Sequence, residues 1–199
     1  MKRFKTIADL KKILRLQKTK NKSIGLVPTM GSLHEGHESL VNRSKKENNI
    51  TVVSIYVNPT QFNDNNDFKN YPRNIKSDFK RLQKLNCDIV FYPTTQEMYG
   101  QKEQNLSKMR LGNLNKLLEA KKRPGHFEGV IRIVTKLLEI VAPDNAYFGE
   151  KDFQQLLVVK KLAKEKFSQI NIVSCATIRN KNGIAKSSRN KKLNTDELT

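Results

Sequence analysis

Short apolar runs, most of them closed by proline or glycine and separated by stretches of helical periodicity, constrain this chain more than any other feature. Ser23-Ile24-Gly25-Leu26-Val27-Pro28 reads as a buried strand ended by proline. Thr51-Val52-Val53-Ser54-Ile55-Tyr56-Val57 is continuous and β-branched, the pattern of a central parallel strand covered on both faces. Residues 87–92, 145–148 and 170–175 supply three more strands, the first stopped by Pro93 and the second by Gly149. Helices are expected between them. Leu33, His37, Leu40, Val41 and Ser44 fall on one helical face, and Ile75, Phe79, Leu82 and Leu85 form a buried stripe over 74–86. A strong helix is expected over 128–141, before Pro143, and another from Asp152, as its cap, to about Phe167. The stretch 94–125 is less regular and carries Leu111, Leu114, Leu117 and Leu118.

Strands alternating with helices predict an α/β fold, a Rossmann-like doubly wound parallel sheet. In such sheets ligands bind beyond the carboxyl ends of the strands. The unusual segments sit there: Pro28-Thr29-Met30-Gly31, Asn58-Pro59-Thr60-Gln61 and Gly149-Glu150-Lys151-Asp152 each follow a strand. Residues 1–177 are read as this catalytic domain. The polar stretch 178–199 is read as the start of a small C-terminal domain, with 194–198 resembling the capped start of a helix.

Composition narrows the class. The 199 residues carry a formal net charge of +19, but the cations are scattered rather than gathered into a stripe interleaved with aromatics. That argues against a nucleic-acid interface and for a general attraction to anionic substrates. No apolar run approaches the roughly 20 residues of a membrane span. The basic N-terminus has no apolar signal core behind it, and Cys87 and Cys175 lack a partner motif, so a reduced, cytoplasmic protein is expected.

His34-Glu35-Gly36-His37 is the sharpest motif. Two histidines three apart at a helix start share one face, where backbone N–H groups and the helix dipole favour an anion. The pair suits phosphate oxygens. It also suits a metal, but zinc wants a third ligand and His126 is the only other histidine. Lys186-Ser187-Ser188-Arg189 is a second phosphate candidate, and read alone it is an ordinary basic loop. Asn58 and Gln61 offer neutral amides to a small polar substrate, or merely build a turn around Pro59. Lys151 suits a phosphate as a point charge, and Asp152 suits either a ligand or a helix cap.

Together these blocks resemble the pantoate–β-alanine ligase family. The matching text is Pro28-Thr29-Met30-Gly31-Ser32-Leu33-His34-Glu35-Gly36-His37, Val57-Asn58-Pro59-Thr60-Gln61-Phe62 and Tyr71-Pro72-Arg73, followed by Arg123-Pro124-Gly125-His126-Phe127, Phe148-Gly149-Glu150-Lys151-Asp152-Phe153-Gln154-Gln155 and Lys186-Ser187-Ser188-Arg189-Asn190. The resemblance implies a two-step reaction. ATP and pantoate give a pantoyl adenylate and pyrophosphate, and β-alanine then displaces AMP, with Mg2+ accompanying the phosphates. It implies that Met30 to His37 form the ATP turn, with His37, His34 and Lys151 catalytic and His37 the family's proton donor. Gly149, Glu150, Lys151 and Asp152 resemble a second nucleotide turn, Ile178 an adenosine contact, and Lys186, Ser187, Ser188 and Arg189 a loop that closes on the phosphates. Asn58, Gln61 and Gln155 resemble contacts to pantoate, Gln61 also to β-alanine. A homodimer is implied, and the family continues beyond residue 199 in a lid domain. Lys186 departs from the Leu or Met of many members. A nucleotidyltransferase with a phosphate acceptor would share the histidines but lack the amide pocket. A basic RNA-binding module would need a contiguous cationic face.

Overall fold

The computed structural model describes residues 1–100, 109–192 and 194. The chain runs β1 (Lys2–Phe4), α1 (Ile7–Lys18), β2 (Ile24–Thr29), α2 (Glu35–Glu47), β3 (Ile50–Ile55), α3 (Asn65–Lys69), α4 (Ile75–Lys84) and β4 (Ile89–Phe91). It continues with α5 (Thr95–Tyr99), α6 (Glu119–Lys122), α7 (His126–Val141), β5 (Asn145–Gly149), α8 (Phe153–Lys166) and β6 (Asn171–Cys175). All neighbouring strands pair parallel, in the order β1-β4-β3-β2-β5-β6.

Two cores form because strand side chains alternate between faces. Leu26, Val52, Phe91 and Ala146 pack with Leu10, Val130, Leu138 and Leu156 from α1, α7 and α8. Their strand neighbours Val27, Val53, Val90 and Tyr147 pack on the opposite face with Val41 and Leu82 from α2 and α4. Both faces are covered, so the strands read as continuous apolar runs rather than alternating ones.

The five expected strands and the helices between them are present. The sheet gains an edge strand, β1, whose Lys2-Arg3-Phe4 carries too little apolar character to announce itself. Charge on an edge strand discourages further pairing. Two other expectations are corrected. Ile75 at the start of α4 is exposed, and Asp78, one turn on, is buried in its place. Asp152 stands at the N-cap position of α8, but its side chain makes no capping bond and takes the Lys151 ammonium at 2.7 Å instead. The helix start expected at 194–198 lies, apart from residue 194, outside the described residues. Among the described residues no helix is long and apolar enough to cross a membrane.

The strand order reverses between β2 and β5, which run outward to opposite edges. Their pairing covers only Gly25–Asn145 and Leu26–Ala146. Pro28, two residues further along β2, has no N–H to extend the ladder. The two strands part there, and the cleft they leave is where an open α/β sheet binds its ligands.

Candidate active site

Pro28 and Phe148, facing each other across the parted strands, line two adjoining cavities that also share His34, His37, Lys151, Asp152 and Gln155. One extends toward Gln61, Arg123, His126 and the apolar face of α7, and over it lie Ser187, Ser188 and Arg189. The other runs toward Gly36, Gly149, Ile178 and Lys186. Three elements far apart in sequence thus meet at one cleft.

The turn from β2 into α2 is built almost wholly from hydrogen bonds inside the protein. Thr29 Oγ1 donates to the Ser54 carbonyl (2.7 Å) and accepts the Gly31 N–H (3.1 Å). Gly31 and Ser32 both take positive φ, +77° and +49°. The next two amides, of Ser32 and Leu33, donate to the two carboxylate oxygens of Asp78 at 2.9 and 2.8 Å. At the helix start, Gly36 N–H donates to His34 Nδ1 (3.1 Å) and His34 N–H to His37 Nδ1 (3.3 Å). The result is a capping box in which imidazoles replace the usual hydroxyl and carboxylate.

This geometry corrects the simple helix-terminus expectation. The amides of Ser32, Leu33, His34 and Gly36 are already committed within the protein, so they do not form an open backbone cradle for an anion. It also fixes the tautomers. An Nδ1 that accepts an N–H leaves the proton of a neutral imidazole on Nε2. The rings stand 4.1 Å apart. Burial, then His34 and the Lys151 ammonium, push His37 down to about 3. Burial likewise lowers His34, against the opposing pull of Glu35. Each ring is a neutral Nε2–H donor.

Across the cleft, Gln61 is buried and held on three sides. Its Oε1 accepts from Asn58 Nδ2 (3.2 Å), its Nε2 lies 3.0 Å from Met30 Sδ, and its backbone carbonyl accepts from His126 Nδ1 (2.7 Å). His126 Nε2 then accepts from Arg123 (3.2 Å), an arrangement that keeps this imidazole neutral, and burial lowers it accordingly. Asn58 is 1% exposed, and its amide is engaged by Gly129 O, Thr60 and Tyr99 as well as Gln61. It therefore stands behind the wall rather than in it. Gly31, Ser32, Leu33, Glu35 and Glu150 likewise line neither cavity. The other sequence candidates line one or both.

The 185–190 loop reaches the cleft from above. Ser188 Oγ donates to the Ser32 carbonyl (3.0 Å), Arg189 pairs with Asp67 (2.8 Å), and Lys186 pairs with Glu35 (3.5 Å). Asp78, Arg123, His126 and Tyr71 carry structure or lining that no single motif announced. The last three lie inside the matched blocks, whereas Asp78 looks like any polar residue in a helix.

A parallel sheet that opens at its switch point onto paired imidazoles, lysines and a buried amide pocket defines an α/β enzyme built to hold a phosphorylated ligand beside a small polar one. Comparison with known proteins then gives the particular family. The family described as Pantoate-beta-alanine ligase matches residues 2–199. The pantothenate synthetase of Acetivibrio thermocellus is 48% identical over 197 residues, 99% of this chain and 69% of that protein. That of Sulfurihydrogenibium sp. is 51% identical over 180 residues, 90% of this chain and 64% of that protein. The crystal structure of pantothenate synthetase from Thermus thermophilus superposes with a TM-score of 0.92 at 39% identity, covering 100% of this chain and 70% of its own. The Francisella tularensis pantoate-beta-alanine ligase, complexed with beta-gamma ATP and beta-alanine, also gives 0.92, at 42% identity over 98% of this chain and 74% of its own. The chain belongs to the pantoate–β-alanine ligase family, enzymes of pantothenate biosynthesis.

Proposed function

We propose that this chain joins pantoate to β-alanine at the expense of ATP, through a pantoyl adenylate, with release of pyrophosphate and then AMP. The observation that carries this is the single cleft in which the His34/His37/Lys151 cluster faces the Gln61/Gln155 amides. A nucleotide at the first and a hydroxy acid at the second would bring a carboxylate to the α-phosphorus. Support also comes from the Francisella tularensis relative, whose structure holds a nucleotide and β-alanine.

In the first step a pantoate carboxylate oxygen bonds to the α-phosphorus, and the bond from that phosphorus to the bridging oxygen breaks. The electron pair leaves with pyrophosphate. Negative charge grows on the phosphate oxygens, where donors fixed in advance stabilise it without reorganising. His34 and His37 supply Nε2–H groups there, and Lys151 a positive charge. In the second step the free amine of β-alanine attacks the acyl carbon, the bond from that carbon to the phosphate oxygen breaks, AMP leaves with the electron pair, and the nitrogen gives up a proton to solvent. Neither step asks for a strong acid, so His37 acts as a charge-stabilising donor. Lys186 and Arg189 close on the phosphates from above, exchanging their carboxylate partners for the ligand. Ile178 and the turn at Gly149 hold the nucleoside side.

Magnesium fits as a companion of the nucleotide. The phosphate end of the cleft presents imidazole and ammonium groups, its acidic residue Asp152 and the neighbouring Glu35 are each paired with a lysine, and no cluster of three acidic, His or Cys ligands occurs among the described residues. Phosphate oxygens and water would hold the ion, which supplies charge neutralisation.

The deciding assay follows pyrophosphate from ATP. Release should require pantoate, and turnover should require β-alanine. Pyrophosphate exchange supported by nicotinate or pantetheine phosphates, and not by pantoate, would overturn the reading in favour of a transferase with a phosphate acceptor.

A further inference from the structure

Asp78 is the only buried carboxylate among the described residues, at 2% exposure, and the proposed chemistry makes no use of it. It sits on α4, outside the lining of both cleft cavities. Both of its oxygens point at the turn that carries the histidines. Oδ2 accepts the Ser32 amide at 2.9 Å and Oδ1 the Leu33 amide at 2.8 Å. A carboxylate taking two backbone N–H groups makes two charge-assisted bonds, among the strongest a turn can have.

The turn needs that hold. Gly31 and Ser32 lie consecutively at positive φ, and for a serine this conformation is strained. The backbone approaches the carboxylate closely enough that a Cβ on Gly31 would come within 2.9 Å of Asp78 Oδ2 and 3.0 Å of Ile55 Cγ2. Ser32 is gripped from its other side too, because its carbonyl accepts from Ser188 Oγ of the 185–190 loop at 3.0 Å. One residue thus has its N–H fixed by α4 and its C=O joined to the loop that covers the cleft. Leu33, the second residue that Asp78 holds, is followed directly by His34, the N-cap whose N–H donates to the His37 ring.

We propose that Asp78 is a positioning residue for the nucleotide. It locks the 31–33 turn so that the Nε2–H groups of His34 and His37 face the cleft, and it presents the Ser32 carbonyl on which the 185–190 loop docks. This rests on the function proposed above. The effect should fall on ATP and largely spare pantoate, because Gln61 and Gln155 come from other elements and only Met30, which precedes the amides that Asp78 holds, reaches Gln61.

The test is Asp78→Asn in the whole chain. The amide keeps the shape but turns an NH2 toward one of the two donors. The Michaelis constant for ATP is expected to rise about tenfold, the first-step rate to fall, and the constant for pantoate to stay within twofold. Ser188→Ala should add less in the Asp78→Asn background than alone, since both act through Ser32. Should the asparagine variant fail to fold by circular dichroism, Asp78→Glu, which keeps the charge and shifts it by one methylene, carries the same expectation. Loss spread evenly over both substrates alongside a lower melting temperature, or unchanged ATP constants in a folded variant, would overturn the positioning role. Wild-type protein that releases no pyrophosphate with ATP and pantoate would instead overturn the functional reading.

Discussion

Two segments face the phosphate end of the cleft, and they are held by opposite means. The turn before α2 is fixed from within, by a buried carboxylate, by two amide-to-imidazole bonds and by Thr29. The 185–190 loop is held at its start by the Lys186 N–H on the Ile178 carbonyl, and over the cleft by one buried hydroxyl bond from Ser188 and two ion pairs with partly exposed partners, Arg189–Asp67 and Lys186–Glu35. Buried charge–amide bonds resist water and salt, whereas exposed pairs are worth about 0–1 kcal/mol and are screened. One side of the site is therefore set before the ligand arrives. On the function proposed above, the ion pairs of the other are weak enough that a triphosphate, carrying more charge than either carboxylate, would take its cations.

Four experiments would break or sharpen that contrast. The largest effect belongs to the fixed side. His34→Ala or His37→Ala should each lower kcat for pyrophosphate release about a hundredfold or more, the scale of losing a preorganised donor to a developing charge. The loss should be the same at low and high salt, and equally large losses from Arg189→Ala would erase the distinction between the two segments. His37→Gln, which retains an N–H donor, should keep more activity than His37→Ala, without moving the acid limb of the pH–rate profile.

Next in size is Gly129→Ala, which probes the amide pocket, another internally fixed region. Its Cβ would meet the Thr60 carbonyl oxygen at 2.2 Å and Gln61 Cα at 2.6 Å, both backbone atoms that cannot swing aside. A cost of about 1–3 kcal/mol in denaturant unfolding is expected, with a raised Michaelis constant for pantoate.

Acid should also loosen the fixed side. His37 stays neutral in the folded chain down to about pH 3, whereas the unfolded histidine takes its proton near 6.5. Below about pH 6.5 the unfolded chain binds more protons, so stability is full above that pH and falls as pH drops toward 3, by about 1.4 kcal/mol per unit from His37. His34 and His126, both lowered by burial, act in the same direction. Urea midpoints at pH 7.5 and 5.5 should show this, and His37→Gln should flatten the difference.

The smallest effect is on the latch. Asp67→Asn should change the Michaelis constant for ATP only about two- to threefold, within the range of an exposed pair, and the change should shrink in high salt. A large, salt-independent effect would place Arg189 on the fixed side.

Much of this was legible beforehand. The interior strands were visible because both their faces are covered, which leaves apolar runs that stop at Pro28, Pro93 and Gly149. The histidines, Gln61 and Lys151 were legible because their residue types are unusual at strand ends, whereas Gln155 and the Ser188 loop were legible only through the family resemblance; each lines the cleft. Strand β1 was not, since an edge strand of three residues owes its place to pairing with β4 rather than to its own composition. Asn58 was legible as a special residue but not as a support. Whether an amide faces a ligand or a neighbouring Gln61 depends on where Tyr99 and Gly129 arrive from elsewhere in the chain.

The sequence by itself determined the parallel sheet, its switch-point cleft and the chemistry gathered there, because periodicity and turn residues act locally. Only the tertiary structure decided how that chemistry is tuned. The histidines are neutral Nε2–H donors because backbone amides meet both Nδ1 atoms. The helix start is no open anion cradle because the His37 and His34 rings take its first amides, and the turn before it is closed by Asp78, 46 residues along the chain from Ser32. Hydrogen bonds between residues so far apart in sequence leave no periodic trace, and they set the protonation and geometry on which the chemistry depends.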